Sequence, residues 1–269
     1  MDKYRAANQK LWDTWTPHNV SSEFYDTEGF KSGVSTLDPV ELAGFGDVDG
    51  KALLHLQCHF GQDTLSWARL GATVTGVDFS REAINAAQTL NNELGLGANF
   101  VQSDIYELPS NLVGEFDCVF TSHGVLCWLQ DLSGWAKVVA HFLKPGGVFY
   151  IVEAHPFVWM FDEIGKDQPL EPTLPYFQGS EPLQFEETGW YAVPESDITT
   201  TSYEWNHPLS DIVNALVEAG LIIDRLEEYP FMGWPQFDWM IETNPDQWSM
   251  PPDRPSLPLM FSLRAIKPE

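Results

Sequence analysis

Basic residues are scarce in this chain: 14 Lys and Arg stand against 39 Asp and Glu, a formal net charge of −25 over 269 residues. A surface of that sign repels phosphate backbones, which proteins hold through Lys and Arg with release of counterions. Nucleic acid is therefore excluded as a substrate. Cysteine is nearly as rare, at Cys58, Cys118 and Cys127. Three thiols so irregularly spaced make neither a disulfide framework nor a zinc site, and no metal is expected. Apolar runs never reach the roughly eighteen residues of a membrane span, so no membrane is expected either. The first residues, Met1 to Arg5, lead into a polar and aromatic segment without the apolar stretch of a signal peptide. The expected compartment is the cytoplasm.

What is present is an ordinary globular composition, 43% hydrophobic and 20% charged. The acids are concentrated late: residues 155–205 carry ten acids and one base. Residues 51–153 alternate short apolar runs with helical patterns, the signature of a parallel sheet with crossover helices. Strands are predicted at 51–56, 73–77, 99–102, 116–121 and 148–153. Between them, helices are predicted at 63–70, from Ser80 as N-cap through Leu90, and at 132–143. The run Lys144-Pro145-Gly146-Gly147 reads as a sharp stop before the fifth strand. Beyond residue 153 the pattern weakens, with faint strand signals at 189–193 and 198–205. A helix follows at 208–219, then strands at 221–226 and 259–266. The stretch 229–258, aromatic and Pro-rich, is predicted to be a long functional loop or lid.

In doubly wound sheets ligands bind beyond the carboxyl ends of the strands. The first strand ends in Gln57-Cys58-His59-Phe60-Gly61, the second in Asp78-Phe79-Ser80, the third in Ser103-Asp104-Ile105 and the fourth in Ser122-His123. A carboxylate at the tip of the second strand suits both hydroxyls of an adenosine ribose. One at position 104 offers an acceptor to an adenine amine. Each also has a plain structural reading, as a helix-start or turn acid. His55, inside a buried strand, is expected to be a satisfied core histidine. His123 is placed for a proton-accepting role, or equally for a structural hydrogen bond.

This arrangement resembles the class I S-adenosylmethionine-dependent methyltransferases over residues 51–153 and again at 208–266. The run 53–61 falls where that family has its glycine-rich first motif, Gly76-Val77-Asp78-Phe79-Ser80 matches the second and Ser103-Asp104-Ile105 the third. Phe116-Asp117-Cys118-Val119 matches the start of the fourth, and Leu143-Lys144-Pro145-Gly146-Gly147 the turn before strand five. The resemblance implies an α/β fold with a doubly wound, mostly parallel seven-stranded sheet whose last strand is antiparallel. It divides the chain into an N-terminal cap (1–50), a cofactor-binding core (51–153), an inserted lid (154–205) and the rest of the same sheet (206–269). The implied cofactor is S-adenosylmethionine, held by Gln57, Cys58, His59, Gly61, Asp78, Phe79, Ser80, Ser103, Asp104, Ile105 and Ser122. The catalytic candidate is His123. Trp12, Tyr25, Trp128 and Trp159 are expected to roof the acceptor, a small molecule for which neutral or cationic character is favoured.

The first motif departs from the family's pattern. His55, Gln57 and His59 replace its acid and first two glycines, and Gly61 alone remains. Side chains at 57 and 59 obstruct the close backbone approach a pyrophosphate needs, which argues against a nicotinamide-dependent oxidoreductase. The third alternative is a non-catalytic binding protein that keeps the fold.

Overall fold

A computed structural model describes residues 2–161, 170–245 and 247–269. Three helices precede the sheet: α1 (Lys3–Val20), α2 (Thr27–Ser32) and α3 (Pro39–Phe45). The Asp2 carboxylate starts α1 by accepting the N–H groups of Tyr4 and Arg5. Asp38 starts α3 in a full capping box, exchanging side chain-to-backbone bonds with Glu41.

The alternating core follows as β1 (Ala52–Leu56), α4 (Gln62–Arg69), β2 (Thr73–Asp78), α5 (Arg81–Leu94), β3 (Asn99–Gln102), α6 (Leu108–Asn111), β4 (Phe116–Ser122), α7 (Leu132–Phe142) and β5 (Leu143–Ala154). The C-terminal part supplies β6 (Leu183–Thr188), β7 (Thr199–Glu204), α8 (Leu209–Glu218), β8 (Ile222–Tyr229), β9 (Phe231–Met232), β10 (Ile241–Asn244), β11 (Gln247–Ser249) and β12 (Met260–Ile266).

Seven strands form the main sheet in the order β3-β2-β1-β4-β5-β12-β8. The first five are parallel, and β12 runs antiparallel to both β5 and β8. The order reverses direction beside β1, so the crevice beyond the tips of β1 and β4 is the switch point where ligands bind. One apolar layer joins β1, β4, β5 and β12 to α7 and α8 through Trp135, Phe142, Phe149 and Leu216. A second buries Trp67, Phe120, Tyr150 and Met260 on the other face, and a third packs α5 through Ile84, Ala87 and Leu90. The 3.6-residue spacing of those α5 positions is what made the helix legible.

Three expectations are corrected. No strand spans 189–193; there a single bridge joins Trp190 to Val193, and the partner of β7 is β6, in register from Leu183↔Glu204 to Thr188↔Thr199. The stretch 229–258 is not a bare loop, because β9, β10 and β11 form a small antiparallel sheet within it. Its apolar residues Met232, Phe237, Met240 and Met250 are buried in the second layer, which is why the segment is rich in large side chains. The turn at 144–147 lies inside β5: Phe116 pairs with Leu143 and Cys118 with Val148, a bulge that takes up the extra residues. Asp162, Glu163, Asp167 and Lys166 of the acidic insert lie outside the described residues.

Candidate active site

The loop after β1 keeps a glycine-type backbone without the glycines. Gln57, His59 and Gly61 have φ of 58°, 50° and 84°, all left-handed. Such a conformation costs a residue with a Cβ about 1–2 kcal/mol, so the trace is imposed by its surroundings. The Asp78 carboxylate is the principal constraint: Oδ2 accepts the His59 N–H at 2.9 Å and Oδ1 the Ser80 N–H at 2.8 Å. Side chains at 57 and 59 have somewhere to go. Gln57 donates to the Val125 carbonyl at 3.1 Å, and His59 packs edge-on to Trp12 with ring centroids 5.0 Å apart. At 61 there is no exit. A Cβ there would lie 2.7 Å from the Phe100 ring and 3.1 Å from the Ala87 Cβ. Gly61 is thus the one motif glycine that packing still requires.

Burial raises the Asp78 carboxyl to about 6, although the N–H groups of Ser80 and His59 pull it down. Burial drives His59 down to about 3, so its ring is neutral. The Gln57 Oε1 is buried and has no hydrogen-bond partner. At the β3 tip, Ser103 is buried and donates to the Asp104 carbonyl, while Ile105 belongs to the first apolar layer. Cys58 does not face the crevice; it is buried with Phe30 and Leu65 in the third layer. Ser122 turns its hydroxyl to Asp63 at 3.0 Å.

Helix α1 lies across these tips and bonds to them. Arg5 Nη1 reaches both oxygens of Asp104 at 2.9 Å, and the Asp104 side chain is only 3% exposed. Gln9 donates to the Phe79 carbonyl at 2.6 Å, and Ser80 donates to Asp13 at 2.7 Å. The hairpin β6–β7 clamps α1 from outside, with Asn8 exchanging two hydrogen bonds with the backbone of Tyr203. Trp12, Tyr25 and Trp128 join Leu11, Trp15 and Trp190 in one aromatic cluster over the loop. Trp159 does not join them; it packs against the second layer near β5.

The β4 tip is built differently. His123 has φ of 35°, and its Nε2 lies 3.5 Å from Glu41 Oε1. Burial raises the Glu41 carboxyl to about 7 despite that partner. Burial acts to lower His123, but the hydrogen bond and charge of Glu41 outweigh it and raise the ring to about 9. Asp38, Glu41 and His123 bring ligand-type atoms within 4.8 Å of one another, an approach that the capping box and the ion pair account for. The carboxylate of Glu153, at the end of β5, accepts the N–H groups of Gly124, Val125, Leu126 and Ala154 and so fixes the loop after His123. His55, as expected, is a core residue: Nδ1 meets the Thr64 hydroxyl at 2.8 Å, and burial lowers the ring to about 4.

Sequence reasoning missed Arg5, Gln9, Asp13, Glu41 and Glu153. Only Glu41 carried a signal, since Asp38-Pro39-Val40-Glu41 is a legible capping box. The others act on partners far along the chain.

Residues 54–151 match the family described as methyltransferase domain. The ubiquinone biosynthesis O-methyltransferase of Escherichia fergusonii is 29% identical over 157 residues, which cover 56% of this chain and 65% of that relative, less than two thirds of its length. A putative S-adenosylmethionine-dependent methyltransferase from Listeria monocytogenes superposes with a TM-score of 0.57 at 18% identity, covering 84% of this chain and 95% of that one. The glycopeptide N-methyltransferase MtfA, crystallised with sinefungin, gives 0.56 at 18% identity over 95% and 99% of the two chains. The two structural likenesses show the fold, and the match at 54–151 covers the strands whose tips carry the site. Residues 54–151 are thus similar to the methyltransferase-domain family, and the chain shares the fold of solved S-adenosylmethionine-dependent methyltransferases.

Proposed function

We propose that this chain transfers a methyl group from S-adenosylmethionine to a small-molecule acceptor. The observation that carries the reading is the left-handed backbone kept at residues 57, 59 and 61 beside Asp78, with a buried Gln57 oxygen that lacks a donor. Those groups fit the cofactor. Gln57 Oε1 is an acceptor for the ammonium of its methionine tail, Asp78 for the ribose hydroxyls, and Asp104 for the adenine amine once Arg5 releases it. Phe79, Ser80 and Ser103 stand at the same strand tips and are assigned to the cofactor with them, whereas Ile105 supports the tip from the first apolar layer. The bound sulfonium supplies a methyl group with a good leaving group attached. The protein's share is to align the acceptor and exclude water. Trp12, Tyr25 and Trp128 serve the second purpose by closing the crevice with aromatic surface.

The proposed division of labour places the cofactor on 51–153, with residues 1–50 and 154–205 as cover and 206–269 completing the sheet. The acidic excess of the cover supports a neutral or cationic acceptor. The relatives named above include an O-methyltransferase acting in ubiquinone biosynthesis, which supports a small organic acceptor here.

One observation favours a second reading. Arg5 already satisfies Asp104, and Trp12 packs on the loop, as in a chain that keeps the fold and fills its own site. Calorimetric titration with S-adenosylhomocysteine separates the two. Binding at micromolar concentration supports the enzyme, and mass spectrometry with S-adenosylmethionine and a metabolite extract then reports products heavier by one methylene. No binding by the wild type or by Arg5→Ala overturns the enzyme reading.

A further inference from the structure

We infer that a small cavity behind the loop after β4 is an ammonium-binding pocket, and that it anchors an acceptor whose primary amine is remote from the atom that is methylated. The acceptor half of this rests on the methyl-transfer reading above and narrows its small molecule to an amine; the pocket stands on its own.

Beyond the carboxyl ends of β4 and β5, beside the start of α8, lies a cavity of about 10 Å³, space for one water-sized group. Cys127, Glu153, Trp159, Trp205, Asn206 and His207 line it. Asn206 is 5% exposed. Its backbone N–H donates to Gln178 Oε1 at 2.7 Å and its Nδ2 to the Pro175 carbonyl at 3.1 Å. The second bond fixes which way round the amide stands, and Oδ1 is left buried with no hydrogen bond. A buried polar atom in that state calls for a donor from outside the chain.

The surrounding groups select the donor. The Trp205 indole N–H is committed to the Ser180 carbonyl at 3.1 Å, and His207 Nε2 to the Leu129 carbonyl at 2.6 Å. With its proton there, His207 offers Nδ1 as a second acceptor, and burial lowers the ring, which keeps it neutral. A group that donates several hydrogens and accepts none suits such walls, and that is ammonium; a hydroxyl brings lone pairs of its own. Indole faces such as those of Trp159 and Trp205 attract cations. Among the described residues no Lys or Arg lines the cavity, and Glu153, 3% exposed, sets a carboxylate beside it. Burial pushes the Cys127 thiol well up, and the charges of Glu204 and Glu153 push it further, the response to a negative field at that wall. The volume admits a primary ammonium and excludes guanidinium and quaternary ammonium.

The loop has two faces. The Val125 carbonyl accepts Gln57 of the cofactor loop at 3.1 Å, while the next residues, Leu126 and Cys127, line the cavity. An acceptor anchored here has only this loop to pass before it reaches the proposed crevice. The pocket also gives Trp159 a part in binding that its packing denies it in the roof. A bound ammonium is not the nucleophile, because its nitrogen has four bonds and no lone pair. Another atom of the acceptor supplies the pair that forms the new bond to carbon as the carbon–sulfur pair returns to sulfur. Any proton on that atom leaves to water, and the ammonium keeps its own three.

Side-chain amide NMR of the nitrogen-labelled full chain, with the Asn206 signal assigned by its loss in Asn206→Asp, tests the pocket without turnover. Ethylammonium chloride should shift that signal saturably and bind about tenfold more tightly than ethanol. Tetramethylammonium and potassium chloride at equal ionic strength should leave it in place. Trp159→Leu should weaken ethylammonium about threefold, and Trp159→Phe, which keeps an aromatic face, by less. In the metabolite-extract assay the product heavier by one methylene should still react with a primary-amine reagent, and ethylammonium should raise the acceptor's KM at unchanged kcat. Equal affinity for ethanol, no shift with ethylammonium, or binding indifferent to Trp159→Leu overturns the pocket and leaves a water site only. A product without a primary amine overturns the acceptor assignment. Failure of the wild type and Arg5→Ala to bind S-adenosylhomocysteine defeats the methyl-transfer reading instead, and the amide shifts then decide the pocket by themselves.

Discussion

The two halves of the crevice differ in how their polar groups are satisfied. Over β1, β2 and β3, the carboxylates of Asp78 and Asp104 and the hydroxyl of Ser80 are bonded within the chain, several of them by α1. Around the β4 tip, His123 Nδ1 and the Thr121 hydroxyl are buried without a hydrogen bond, and Glu41 Oε1 has only its long 3.5 Å contact with His123 Nε2. A buried polar atom left unpaired costs about 1–3 kcal/mol, so the two halves stand at opposite ends of one scale. A ligand entering the first half finds one free acceptor, the Gln57 Oε1, and must otherwise replace bonds already made. A ligand entering the second gains bonds that nothing else supplies. The cofactor half should therefore bind with an opposing internal cost, and the acceptor half should depend on its ligand for completeness.

The largest expected effect tests whether the satisfied half is a binding site at all. Asp78→Ala removes the ribose acceptor and is expected to weaken S-adenosylhomocysteine by about 1.5–3 kcal/mol, read by calorimetry on a variant shown to be folded. Equal affinity would mean that Asp78 serves only the loop. Next comes the loop itself. Gly61→Ala forces a Cβ against Phe100 at left-handed φ and is expected to cost about 2–4 kcal/mol of stability, whereas Gln57→Gly should stay within about 1 kcal/mol of wild type. Urea unfolding of both variants checks the contrast, and equal losses would show that side-chain exit does not explain the surviving glycine.

A smaller change should sharpen the comparison. Arg5→Ala frees Asp104, and S-adenosylhomocysteine affinity is expected to rise a few-fold even as α1 loosens. A fall would mean that Arg5 holds the cofactor and does not compete with it. The smallest effect concerns pH. His123 has its folded value raised to about 9 from 6.5 and Glu41 must be ionised, above about 7, to pair with it, so the pairing is strongest between about 7 and 9 and its benefit disappears as pH rises through 9. The stability difference between wild type and His123→Asn should accordingly shrink between pH 7 and 10. A constant difference would point to packing as the ring's only contribution.

The sheet was legible because β-branched runs and 3.6-residue spacing are local properties. The tips of β1 to β4 followed from it, which brought Gln57, Asp78, Asp104 and His123 into view together. The antiparallel last strand came from family likeness, since Met260–Ile266 reads the same in either direction. What stayed hidden was mostly long-range. Nothing near Arg5 announces Asp104, 99 residues away, and nothing near Glu153 announces the loop at 124–126. The segment 229–258 misled because its many prolines outweighed short strands of two to four residues. Residue type groups Trp159 with Trp12, and packing separates them.

The clamp on α1 has a consequence for the order of assembly. Asn8 and Tyr203 are 195 residues apart, and the Trp190 indole reaches Asn19 across 171. Contacts of such separation form late, because the loop they close must lose its freedom before they return anything. During synthesis the sheet from β1 to β5 can be complete while the hairpin that secures α1 has yet to emerge from the ribosome. In the finished protein the same contacts are cheap to open locally, since breaking them leaves the main sheet intact. Hydrogen exchange should then show α1 and the hairpin β6–β7 opening as one unit, faster than β1, β4 and β5, although these two pieces lie at distant points of the chain.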